Sequence, residues 1–225
     1  MPLRRLARLL ALFAVAAALA PDAQAQRVAK YGADFLAGGV GARALGMGGA
    51  YVALASDVTA GYWNPSGLSA TRYPEAAYMH AERFSGIVQF DYGAVAVPIN
   101  ARSTVGVSFF RSGVDDIPNT LEAWTNGQPD PSKVSFFSAA DYAFFVSYAR
   151  RLRENLSVGA TAKVIHRGLG DFANAWGYSV DVGARYRIGR FIVAANVQDV
   201  TGMLQSWSID EAELAPLRDT FDGDL

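Results

Sequence analysis

Apolar and polar residues alternate along residues 174–188. One set of alternate positions carries Trp176, Tyr178, Val180, Val182, Ala184, Tyr186 and Ile188, and the other carries Gly177, Ser179, Asp181, Gly183, Arg185 and Arg187. Because successive side chains of a β-strand point to opposite faces of the sheet, this alternation predicts a strand with one apolar face and one polar face.

Similar alternation recurs in six further segments of the chain. It is regular in residues 87–98, 155–167 and 190–199, and less regular in residues 75–83, 103–111 and 139–150. In residues 87–98 the apolar set is Val88, Phe90, Tyr92, Ala94 and Ala96, opposite Gln89, Asp91 and Gly93. Turn signals separate the segments, so residues 75–199 are predicted to form about seven antiparallel strands.

These strands fit a membrane barrel better than a soluble β-sandwich, which is the alternative because its strands alternate in the same way. Aromatic residues cluster near the ends of the apolar faces, where rings lie at membrane interfaces (Trp176, Tyr178 and Tyr186). Predicted connections alternate between short (100–102, 151–154, 189) and long (112–138, 168–173, beyond 200), apart from a short join near 84–86. We therefore predict an all-β, antiparallel transmembrane β-barrel whose apolar faces meet lipid and whose other faces enclose an interior.

The first 25 residues have the pattern of a secretory signal peptide. A basic start (Arg4, Arg5, Arg8) precedes the apolar run 9–20, and Ala23 and Ala25 supply the small residues of a cleavage site. The apolar run is too short to span a hydrocarbon core of about 30 Å. We expect cleavage near Ala25 and export to the bacterial outer membrane.

The mature chain divides into three parts. Residues 26–74 are rich in glycine and alanine, lack sustained alternation, and are predicted to form a partly helical hatch inside the barrel. Residues 75–199 carry the strands. Residues 200–225 are acidic and irregular, and are predicted to be an extracellular loop or a truncated end. Single-chain bacterial barrels have an even number of strands, so we expect further strands in the full protein.

Composition excludes several other classes of function. The formal net charge of −1 gives no nucleic-acid footprint, and the absence of cysteine excludes disulfides and thiol catalysis. The two histidines, His80 and His166, form no catalytic motif, and His166 is expected on the outward face. The pattern Gly39-x-Gly41-x-x-Ala44 has the form of a dinucleotide fingerprint but follows no predicted strand. We predict no enzyme activity, cofactor or metal, and Asp115 and Asp116 lack calcium-loop spacing.

Three charged residues are expected to point into the barrel from adjacent strands. They are Lys163, Asp181 and Arg185, which occupy polar positions of their segments. Opposite charges on neighbouring strands support pairing and can contact a plug. The sequence leaves two alternatives open: these residues hold the hatch or line a solute path, or they are solvated charges of the interior.

Residues 39–57 (GVGARALGMGGAYVALASD) and 62–68 (YWNPSGL) resemble the N-terminal hatch of the PorV/PorQ family, which belongs to the FadL-type group of outer-membrane barrels. The hatch motif is Asn64, Pro65, Ser66, Gly67 and Leu68, with Ser66 in place of the usual alanine. The resemblance implies a fourteen-stranded barrel plugged by its N-terminal segment. It also implies passage of long-chain fatty acids or other hydrophobic solutes.

The same resemblance leaves a second role open. A type IX secretion component or adaptor that binds exported proteins is the alternative function. The expected partners are therefore outer-membrane lipid and either hydrophobic small molecules or secreted proteins. Because Pro65 fixes φ and Gly67 permits a tight turn, the motif is also explained as a hatch-to-barrel turn with no ligand role.

Overall fold

The computed structural model describes residues 33–121, 123–125 and 128–213. The predicted signal peptide (1–25), the start of the hatch (26–32) and the final residues (214–225) lie outside the described residues. All described residues belong to one compact unit, Gly32–Leu225.

An antiparallel sheet of eight strands curls into a half-barrel. The described residues contain ten strands, eight in this sheet and two in a separate one. In chain order they are β1 (Glu75–Arg83), β2 (Val88–Asn100), β3 (Ser103–Asn119), β4 (Trp124–Thr125), β5 (Gln128–Pro129), β6 (Ser135–Arg153), β7 (Leu156–Leu169), β8 (Ala173–Ile188), β9 (Phe191–Val197) and β10 (Leu204–Ile209). Strands β4 and β5 form a separate small hairpin, and the main sheet has the order β1-β2-β3-β6-β7-β8. Strands β9 and β10 pair with opposite ends of β8, so they share one position at its edge.

The alternation predicted for β7 to β9 is confirmed. Ser157, Thr161 and Lys163 are buried on the inner face of β7, whereas Ala160 and Val164 are exposed on its outer face. The same parity continues through β8 and β9, because the ladders pair inward residues with inward residues. The apolar set of these strands therefore faces outward, as expected for strands that meet lipid.

On β2 the prediction of which face lies outside was wrong. Its most apolar set is buried against the hatch, including Phe90 and Tyr92, whereas Val95, Val97 and Ile99 are exposed on the outer face. Alternation separates two faces but does not say which of them is inside. The hatch offers apolar side chains to β2, and these residues cover the larger apolar face.

The connections also differ from the prediction. Strands β3 and β6 extend far into the predicted loop 112–138, because a bulge between Val114 and Ile117 lets their pairing continue to Asn119. Only three residues join β7 to β8, where a longer connection was expected. The predicted loop or truncated end 200–225 contains β10, which pairs with the start of β8.

The described part of the hatch consists of short helices joined by turns. The α-helices are Ala42–Gly46 and Ala60–Trp63, and the 3-10 helices are Asp34–Gly38 and Pro65–Ala70; a further 3-10 helix, Pro131–Lys133, precedes β6. The core lies between the hatch and the inner face of the sheet, with Tyr51, Leu68, Tyr92 and Phe110 fully buried. Within the described residues, no helix is both long and apolar enough to cross a bilayer.

Candidate functional site

The hatch motif packs against the inner face of the half-barrel sheet, which we call the wall. All five of its residues, Asn64, Pro65, Ser66, Gly67 and Leu68, are buried. Pro65 begins a 3-10 helix directly after the extended Asn64 (φ −165°), which agrees with the extended conformation that a following proline favours. The motif is therefore an internal docking element and not an exposed loop.

Three glycines of the wall make room for this motif. A Cβ atom at Gly159 would lie 2.5 Å from the Ser66 nitrogen, and one at Gly106 would lie 3.1 Å from the Leu68 side chain. A Cβ atom at Gly183 would overlap the Asn64 side chain. Gly159 and Gly183 face each other across the β7–β8 ladder, so they form one smooth patch of backbone. Larger residues at these positions would push the hatch away.

Asn64 is the polar centre of the docking contact. Its Nδ2 donates to the carbonyl oxygen of Val52 at 3.0 Å and lies 3.5 Å from that of Ala195 on β9. Its Oδ1 accepts from the Ser66 nitrogen at 3.1 Å and from the Ser66 hydroxyl at 2.6 Å. One buried amide thus joins two parts of the hatch and reaches the wall, and Ser66 completes this network.

A second polar contact fixes the helix Ala60–Trp63. The Thr161 hydroxyl on β7 donates to the Gly61 carbonyl at 3.0 Å, and it lies 2.8 Å from the Ser147 hydroxyl on β6. Thr161 and Ser147 are fully or almost fully buried. Buried carbonyls need such partners, because an unpaired one costs about 1–3 kcal/mol.

The other half of the inner face holds the hatch through aromatic rings. Tyr62 packs edge-on against Tyr92 and Phe145, with ring centroids 6.4 and 6.1 Å apart. Phe110 packs against Phe35 of the hatch and Phe90 of β2. Burial raises the pKa of Tyr62 to about 12, so its hydroxyl stays a neutral donor to the Leu36 carbonyl.

The structure brings two of the three predicted interior charges together. The Lys163 ammonium lies 2.8 Å from an Asp181 carboxylate oxygen and 2.5 Å from one of Asp199. The side chains of Lys163 and Asp181 are only 4% and 3% exposed, so they are not solvated charges. Asp181 also accepts from the Asp199 backbone nitrogen at 2.8 Å, at the break between β9 and β10. The cluster therefore fixes the interrupted edge strand to the sheet.

Arg185, the third predicted charge, lies apart from this cluster and contacts the hatch. Its Nη1 donates to the carbonyl oxygen of Ala55 at 3.1 Å. Arg151 makes a similar contact from β6, since its Nη2 donates to the Ser69 carbonyl at 2.9 Å. Both arginines therefore fasten the hatch to the strands.

A cavity of about 290 Å³ separates the hatch from the charged cluster. Tyr62, Trp63 and Phe145 supply aromatic walls, and Lys163 and Asp181 supply polar ones. A volume near 300 Å³ lies at the lower end of the range for small-molecule sites. The arrangement can hold part of a hydrophobic solute.

Three features were predicted from the sequence to have no catalytic, nucleotide-binding or metal-binding role, and each can be located in the structure. His166 lies on the outer face of β7, as predicted, with its ring 4.4 Å from that of Trp176. Trp63 of the hatch packs on Gly39 and donates to the Val40 carbonyl, within the segment that has the form of a dinucleotide fingerprint. Among the described residues, no group of three or more carboxylate or histidine side chains is placed to hold a metal.

The glycines of the wall and Asp199 were not predicted from the sequence as functional residues. Gly106, Gly159 and Gly183 occupy inward positions of predicted strands, and a glycine inside a strand signals close approach of another backbone. That signal could have identified them as a docking surface. Asp199 has a positive φ of 54° at the strand break, and no alternation pattern marks it.

No protein-family model matches this chain, and no curated protein resembles it in sequence.

Proposed function

We propose that this protein is an outer-membrane β-barrel of PorV/PorQ (FadL-like) type, with fourteen strands in its full form, that passes long-chain fatty acids or other hydrophobic solutes. Its signal peptide is cleaved near Ala25, and its hatch plugs the interior. The proposal includes no catalytic role.

The observation that carries the proposal is the apolar outer face of the sheet. Large apolar side chains are exposed there on each of β2, β3, β6, β7, β8 and β9, including Ile99, Val107, Val146, Val164, Tyr178 and Val193. Soluble monomers rarely expose one apolar patch larger than roughly 300–600 Å². Lipid covers such a face at no cost, and the paired strands leave few backbone groups unsatisfied.

The arrangement inside the half-barrel supports a route for solutes. Buried residues such as Tyr92 and Phe110 pack against the hatch, and a cavity remains beside Tyr62, Trp63 and Phe145. A hydrophobic chain can follow this aromatic wall past the hatch. Interfacial aromatics on the outer face, such as Trp176 and His166, would hold the barrel at its depth in the bilayer.

Membrane insertion is tested first by fractionation of cells that express the full protein. We expect the processed chain in the outer-membrane fraction and a heat-dependent shift on gel electrophoresis, because closed barrels resist detergent until they are heated. Recovery in the aqueous fraction without a gel shift would contradict the whole proposal.

Passage of solutes is tested in liposomes with a labelled long-chain fatty acid. Replacing Ala37, which lines the cavity, by phenylalanine fills the route, so Ala37→Phe should lower uptake toward that of an unrelated barrel. Ala160→Phe adds the same ring on the exposed outer face and should leave uptake unchanged. If the native chain shows no uptake but exported proteins copurify with it from outer membranes, the secretion alternative is favoured.

A further inference from the structure

A second cavity of about 290 Å³ lies at the short-turn end of the half-barrel, where two-residue turns join β2 to β3, β6 to β7 and β8 to β9. Four arginines line it, Arg72, Arg151, Arg185 and Arg187, and Glu154 is the one acidic residue of the lining. Four positive charges against one negative charge give the lining a formal charge of +3. The aromatic cavity described above has the opposite balance, with Lys163 between two carboxylates.

The arginines are arranged in two ways. Arg151 and Arg185 are fixed by their bonds to the hatch carbonyls of Ser69 and Ala55, and each contact uses only one guanidinium nitrogen. A guanidinium carries five N–H donors, so others remain for a ligand. Arg72 and Arg187 are exposed, and within the described part of the chain their side chains make no hydrogen bond or ion pair.

Converging like charges repel one another, and an anion relieves that repulsion. Guanidinium groups bind carboxylate and phosphate oxygens in planar, two-point contacts that lysine cannot form. The cavity is concave, so a bound anion would contact several arginines at once. Because Arg151 and Arg185 are already held in place, binding would order only the two free side chains.

We propose that this arginine cavity binds a single carboxylate or phosphate group at the short-turn end of the half-barrel. Two sources carry this chemistry: a soluble anion, which includes the head of an amphiphile inside the barrel, and the phosphate of a lipid headgroup. The site does not depend on solute passage, because its occupancy is measured without transport. A failed uptake assay therefore leaves it standing.

The experiment uses the full processed protein in a neutral detergent. Inorganic phosphate and butyrate are titrated calorimetrically at constant ionic strength, with chloride as the replacement salt. The test variant is Arg72→Gln with Arg187→Gln, which spares the two arginines that hold the hatch. The matched control is Arg150→Gln, because Arg150 adjoins Arg151 but is exposed on the outer face of β6.

We expect the double variant to bind the anion about tenfold or more weakly, since two charge-assisted contacts are lost, and the control to stay within about twofold. A parallel measurement compares heat-dependent unfolding in phosphatidylcholine vesicles with and without phosphatidylglycerol. Binding of phosphate or butyrate identifies a soluble-anion site. A gain in stability from phosphatidylglycerol alone, lost in the double variant and kept in the control, identifies a lipid headgroup. Equal behaviour of native protein and double variant in both measurements overturns the proposal.

Discussion

The hatch meets β2 and β3 through large apolar side chains, and it meets β7 and β8 through glycines and polar side chains. On the first side, Tyr92 and Phe110 are completely buried against the hatch. On the second side, Gly159 and Gly183 admit the hatch backbone, and Thr161 bonds to it. One inner face therefore uses two kinds of contact to hold the same segment.

The two kinds of contact differ in what they contribute to the docking of the hatch: one contributes free energy, and the other contributes orientation. Apolar burial supplies free energy in proportion to area but does not specify orientation. Hydrogen bonds and close backbone approach supply less free energy, but they admit only one position of the partner. We infer that β2 and β3 provide most of the stability of the hatch, whereas β7 and β8 determine where it lies.

Removing a ring from the apolar side should have the largest effect. We expect Phe110→Ala to lower the free energy of unfolding by about 3–5 kcal/mol, because a fully buried ring leaves a cavity between β3 and the hatch. Phe144→Ala removes the same ring from the outer face, where it is 48% exposed, and should cost far less. Urea titration followed by the heat-dependent gel shift measures both variants. Equal losses would show that the apolar side does not stabilise the hatch.

The buried charge cluster should give the next largest effect. Asp181→Ala removes a partner of Lys163 and the acceptor of the Asp199 backbone nitrogen, for an expected loss of about 2–3 kcal/mol. Asp141→Ala breaks the ion pair with Arg167, which is about one-fifth exposed, and should cost at most about 1 kcal/mol. The same unfolding titration compares them. Unchanged stability in Asp181→Ala would show that the cluster does not fix the edge strand to the sheet.

The contrast between the two sides also explains how far the sequence could lead. Alternation located seven of the eight strands of the main sheet, and on β7 to β9 it also gave the correct outward face, because glycine and polar residues there meet the hatch. On β2 the same reasoning failed. The inner residues Phe90 and Tyr92 are more apolar than the outer Gln89 and Asp91, since the hatch and not lipid is their apolar neighbour.

The candidate site was predictable to a similar degree. Parity placed Lys163, Asp181 and Arg185 on the inner face, because the period of a strand is two residues. Their partners were not predictable, since Asp199 and Ala55 reach them through a strand break and a turn of the hatch. Long-range contacts of this kind depend on the packed hatch, and one strand's pattern contains no information about it.

Gly159 and Gly183 form the docking patch, the smooth backbone surface on which the hatch motif lies. Adding a methyl group to this patch tests whether β7 positions the hatch. Gly159→Ala would place a methyl group against the backbone of Pro65 and Ser66, so the hatch must shift, at an expected cost of about 1–3 kcal/mol. Gly93→Ala is the matched control, because a Cβ atom there meets nothing within 4 Å. Limited proteolysis should cut residues 33–74 faster in Gly159→Ala while the strands stay protected. Identical cleavage of the two variants would exclude the docking patch as the positioning surface.

The smallest effect should come from exchanging polar for apolar character without changing shape. Thr161→Val deprives the Gly61 carbonyl and the Ser147 hydroxyl of a partner, and we expect a loss of about 1 kcal/mol in the unfolding titration. Thr161→Ser keeps the hydroxyl and should preserve the protease resistance of the hatch. If valine were neutral and serine destabilising, the β7 side would hold the hatch by burial of a methyl group. The two sides would then differ only in the size of their side chains, and the orientation of the hatch would have to come from the glycines alone.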